Sequence, residues 1–88
     1  MQEVKEVEFV AKELFLPTNV TGNGEHYSVG VEVGVRTVVI EVDLKHSVWL
    51  VYISDGMGGI TNEHEIEIED ADRFKKLKGF LTHIVLVG

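Results

Sequence analysis

From His26 onward the chain alternates with a period of two. Tyr27, Val29, Val31, Val33 and Val35 face one way, and His26, Ser28, Gly30, Glu32 and Gly34 the other. Such alternation predicts a strand with one buried face. Past Arg36 the phase inverts, and Val38, Ile40 and Val42 become the apolar set against Thr37, Glu41 and Asp43. A period-two strand cannot change phase without an extra residue, so a bulge or sharp bend is predicted at Gly34 to Arg36. Asp43 to His46 reads as a tight connection. Val48 to Ile53 is apolar on both faces, which predicts a central strand covered above and below. Alternation returns from Ile60 to Glu69, with Ile66 and Ile68 inward and Glu63, Glu65, Glu67 and Glu69 outward.

The flanks differ. Val4, Val7, Ala11, Leu14 and Phe15 fall at helical spacing, so Lys5 to Leu16 reads as a helix. The alternation of Val7 and Phe9 with Glu6 and Glu8 also fits a strand. Pro17 ends either element. Thr18 to Glu25 reads as a polar loop with a turn at Asn23-Gly24. Asp70 to Gly79 is the clearest helix, with acids leading, lysines following and Gly79 as its left-handed stop. Phe80 to Val87 then reads as a last strand, apolar on both faces. Together these elements predict an α+β fold over residues 1–88 as a single domain: a mostly antiparallel β-sheet of about five strands packed with one or two helices. A small β-barrel with one helix is the alternative.

Composition narrows the function. Eighty-eight residues leave no room for a large enzyme scaffold or a second cofactor domain. The absence of cysteine removes thiolate zinc sites, thiol nucleophiles and iron–sulfur clusters, and it favours a cytoplasmic location. No signal-peptide pattern and no long apolar run is present, so no membrane association is expected. Few Asn and Gln with many Val and Glu fit a thermophilic source. The net charge of −7 argues against direct binding to duplex nucleic acid and suits a basic partner or a cation.

Three segments carry candidate chemistry. Glu63, Glu65, Glu67 and Glu69, extended by Asp70 and Asp72, form an acidic row on one strand face, where side chains two residues apart lie about 6.6–7 Å from each other. Glu is a poor strand former, so four like charges in line call for a basic partner, cations or a solvated edge. The second segment, Asp55-Gly56-Met57-Gly58-Gly59 after an apolar strand, resembles a metal-binding turn of the metal-dependent serine/threonine phosphatases. The resemblance covers these five residues only. It implies that Asp55 and Gly56 could ligate a divalent ion through a carboxylate and a backbone carbonyl. The third, Asn19 to Glu25, begins like an EF-hand loop but has Gly30 where the bidentate Glu is required, so it is not one. Of the four histidines, His83 reads as a core residue of the last strand, and no pair shows metal-ligand spacing.

No catalytic signature stands out, and an enzyme is the less favoured class. The reading is a small acidic protein-interaction or oligomerisation module. Its partner is expected to be a second copy, because two strands look apolar on both faces, or a basic protein bound at Glu63, Glu65, Glu67, Glu69, Asp70 and Asp72. No cofactor is expected. The alternative is a divalent-cation-binding protein that holds calcium or magnesium through Asp55, Gly56, Glu63 and Glu65.

Overall fold

The computed structural model describes residues 2–87. Helix α1 (Gln2–Glu13) leads into strands β1 (Thr18–Asn23), β2 (His26–Val33), β3 (Arg36–Asp43), β4 (Val48–Ser54) and β5 (Ile60–Glu67), and helix α2 (Arg73–Val87) closes the chain. The strands form one antiparallel meander in the order β1-β2-β3-β4-β5. The sheet is open, with β1 and β5 as its edges, so the architecture is α+β and not a barrel.

The alternating strands behave as their pattern requires. Val29, Val31 and Val33 of β2, Val38, Ile40 and Val42 of β3, and Trp49, Val51 and Ile53 of β4 are all buried on one face. Both helices cover this face, α1 over β2 and β3 and α2 along β5. α1 contributes Val4, Val7, Val10 and Ala11 to the core, and α2 contributes Leu77, Leu81 and Ile84. The phase inversion at Gly34 to Arg36 is a chain reversal. Val33 pairs with Arg36 across a two-residue hairpin, and Gly34 takes the positive φ of 63° that such a turn demands. The segment read as a polar loop supplies an edge strand instead. β1 pairs with β2 from Thr18↔Val31 to Asn23↔His26 and turns at Gly24 and Glu25.

The largest departure is the C-terminus. Residues 80–87 are not a strand: α2 runs unbroken through Gly79 to Val87. Phe74, Leu77, Leu81 and Ile84 are spaced three, four and three apart, which is helical spacing. Burying Leu81 and Ile84 is worth roughly 1.5–3 kcal/mol each, against about 1 kcal/mol for a glycine inside a helix. The burial wins, and Gly79 has no left-handed φ. The helix begins after a turn in which the Asp70 carboxylate accepts the Asp72 N–H at 2.8 Å. Asp72 is the capping residue, its carbonyl accepting the first helical bond from Lys76 at 2.9 Å. Asp70 also pairs with the Lys76 ammonium. Arg73 ties the helices together by meeting both carboxylate oxygens of Glu6, at 3.1 and 3.2 Å.

A helical Gly79 makes a prediction of its own. It is exposed, and an added Cβ would meet nothing within 4 Å. Gly79→Ala should therefore stabilise the protein by about 0.5–1 kcal/mol, read by urea denaturation. A left-handed stop at this position would give destabilisation instead.

Candidate functional site

Both helices lie on one side of the sheet, so among the described residues the other side has no cover. Its residues follow from the strand pairing. β3 presents Thr37, Val39, Glu41 and Asp43, β4 presents Val48, Leu50, Tyr52 and Ser54, and Glu65 and Glu67 of β5 sit opposite Leu50 and Val48. Val39, Val48, Leu50 and Tyr52 are half-buried and form an apolar stripe along the middle. The interior strand β4 is thus covered on one face only and lies second from an edge, a correction to the expected central strand covered on both.

Carboxylates border the stripe from two strands. A groove of ≈ 470 Å³ is lined by His26, Glu41, Asp43, His46, Val48, Leu50, Glu65 and Glu67. Glu41 accepts the Tyr52 hydroxyl at 2.6 Å and lies 2.8 Å from His26 Nε2. His46 Nδ1 stands 2.7 Å from Asp43, and its backbone N–H donates to the same carboxylate at 3.1 Å. The His46 bond is the main cause holding the Asp43 carboxyl below its ordinary value. Among the described residues no lysine or arginine is placed on this face by the strand pairing. The basic side chains lie on α1 and α2, at Lys45 in the β3–β4 turn, and at Arg36, which shares the phase of buried Val38.

Tyr52 reports on this environment. Partial burial, then the bond to Glu41, then the charges of Glu41 and Glu63 push its phenol up to about 12. A raised folded-state value means that the contribution to stability is complete below pH 10 and is lost as the pH climbs through about 12. Ultraviolet titration should show one tyrosine ionising near 12. Glu41→Gln should move that step back towards the ordinary 10, and an unmoved step would contradict the assignment.

The acidic row is divided by the fold. Glu65 and Glu67 stand on the open face, and Glu63 lies near Tyr52. His64 takes the opposite phase and meets the Phe80 ring edge-on at 5.1 Å. Asn62, at a positive φ of 55°, marks the break in register between Val51 and Ile53. Glu69, Asp70 and Asp72 are not on the strand. They belong to the turn into α2, where Asp70 is engaged with Asp72 and Lys76. His83 is exposed on α2 and is not a core residue of a strand. Pattern reading missed Glu41, Asp43, His26, His46 and Tyr52 as site residues. The signal for the two acids was their outward phase on β3. It gains meaning only once β4 is known to lie between β3 and β5.

Asp55 and Gly56 sit at another place, the β4–β5 loop. The cleft there is ≈ 600 Å³ and is lined by Val35, Arg36, Asp55 and Asn62 among others, with neither Glu63 nor Glu65 in its wall. Asp55 Oδ1 accepts the N–H groups of Met57 at 2.7 Å and Gly59 at 2.9 Å, and these bonds hold its carboxyl below the ordinary value. A Cβ at Gly59 would come within 2.2 Å of the Asp55 carboxylate, so a larger residue there would push that carboxylate aside. Among the described residues no three His, Asp or Glu side chains are placed to hold a metal ion. No helix among them is long and apolar enough to cross a membrane.

The fold and face define a class by architecture alone: a five-stranded meander with two helices on one side and an acidic open side. In comparison with known proteins, no protein family, no curated sequence and no solved structure matches the chain.

Proposed function

We propose that the protein is an interaction module whose open sheet face docks a basic protein. One observation carries this reading: an uncovered apolar stripe, Val39, Val48, Leu50 and Tyr52, is bordered by Glu41, Asp43, Glu65 and Glu67 with no lysine or arginine among them. An apolar centre with a polar rim is the usual anatomy of a non-obligate interface. Charge complementarity selects the partner and speeds its encounter. It also disfavours a second copy on this face, because stacking two copies would set like carboxylates against each other. The fitting partner presents Lys or Arg on both sides of an apolar ridge.

Isothermal titration with two synthetic peptides tests the proposal. One alternates Lys with Leu, and the other replaces each Leu with Ser. The Lys–Leu peptide should bind more tightly, and its affinity should fall as salt is raised, since exposed charges are screened beyond about 8 Å at physiological ionic strength. Equal binding of both peptides, or none, would overturn the reading.

A further inference from the structure

The two edges of the sheet are built differently. β5 carries Glu63, Glu65 and Glu67 and is broken in register beside Asn62. Charges and irregularities of this kind keep an edge from pairing with another chain. β1, Thr-Asn-Val-Thr-Gly-Asn, has no charged residue and no proline, and its positive φ of 110° falls on Gly22, near its end and two residues past Val20. Five of its six residues are exposed, and neither helix packs broadly on it. The Glu32 N–H donates to the Pro17 carbonyl at 3.0 Å. Odd-numbered residues of β1 therefore point their backbone groups at β2, and Thr18 and Val20 point theirs away from the sheet.

We infer that β1 pairs with β1 of a second copy, antiparallel about a two-fold axis at Val20, giving a continuous ten-stranded sheet. This register sets Val20 against its own mate, Thr18 against Gly22 and Asn19 against Thr21. It places a β-branched pair at the axis and polar side chains that can hydrogen-bond on either side. Charge favours the same arrangement. Glu32 is the only acid in β1 and β2, and it lies level with Pro17, beyond the end of β1. The acids of β3 are five strand spacings from those of the mate, about 24 Å, or roughly three Debye lengths at physiological salt. The dimer leaves both acidic faces open on the same side of the sheet, and it does not depend on what those faces bind.

A six-residue edge is small beside the roughly 1,600 Å² of a standard interface, so association should depend on concentration. Sedimentation equilibrium should show the mass rising from 9.8 kDa towards twice that value between roughly 10 μM and 1 mM protein. Val20→Pro removes the outward N–H at a position where an edge strand tolerates proline. Val20→Lys sets two ammonium groups against each other at the axis. Both variants should stay monomeric while far-ultraviolet circular dichroism shows them folded. In the unmodified protein, amide exchange at Val20 should slow as concentration rises. A wild-type monomer at every concentration would overturn the inference and leave a foreign strand as the occupant. So would a dimer that survives in both variants.

Discussion

Replacing Trp49 by alanine should cost about 3–5 kcal/mol, the range for deleting a large buried aromatic side chain. At roughly 0.05–0.15 kcal/mol per residue, the whole domain holds on the order of 4–13 kcal/mol, so this variant approaches or passes the point of unfolding. Trp49 sits on β4, is fully buried, and meets Phe74 of α2 edge-on with ring centroids 6.2 Å apart. It therefore helps to join the sheet to the second helix. Its indole N–H is buried without a hydrogen-bond partner. Leaving such a donor unsatisfied costs about 1–3 kcal/mol. Trp49→Phe removes that donor and keeps an aromatic ring against Phe74, so it should cost much less than Trp49→Ala. Urea denaturation of the two variants checks the contrast. Equal losses would show that the indole is not the packing centre.

The second large effect concerns binding. Glu41→Gln, Glu65→Gln and Glu67→Gln together remove three charges from the open face. Glu3→Gln, Glu8→Gln and Glu13→Gln together remove three from α1 on the helical side. Each set takes the net charge from the native −7 to the same new value, so non-specific attraction falls equally. Exposed ion pairs contribute about 0.2–1 kcal/mol each, and three of them amount to roughly a tenfold loss of affinity for the Lys–Leu peptide. The loss should appear in the first set only. Glutamine at position 41 can still accept the Tyr52 hydroxyl, so the face keeps its shape. Equal losses in both sets would mean that the peptide responds to overall charge and not to this face.

How much was legible depended on whether burial left a period in the sequence. β2 and β3 each have one wet and one dry face, and their alternation shows it plainly, whereas β5 buries only Ile66. β1 has almost no apolar residues to alternate, because both its faces are exposed beyond β2, and so it reads as loop. Residues 80–87 are nearly all apolar. Helical and extended spacing therefore fit equally well, and Gly79 looked like a stop although it is a tolerated interior glycine. The acidic residues Glu63, Glu65 and Glu67 were visible as a row, but their counterparts Glu41 and Asp43 lie on a strand two positions away. Only the meander order sets them across Leu50 and Val48 from Glu65 and Glu67. The fold also withdrew Asp70 and Asp72 into the turn before α2, where the Asp72 N–H and the Lys76 ammonium occupy the Asp70 carboxylate.

The central claim is that the acidic open face is the docking surface. Chemical-shift mapping of the isotope-labelled protein during titration with the Lys–Leu peptide tests it most directly. The account predicts that amides of β3, β4 and β5 around Glu41, Asp43, Leu50, Glu65 and Glu67 move, while those of α1 and α2 stay in place. Shifts concentrated on the helices, or none at saturating peptide, would contradict it.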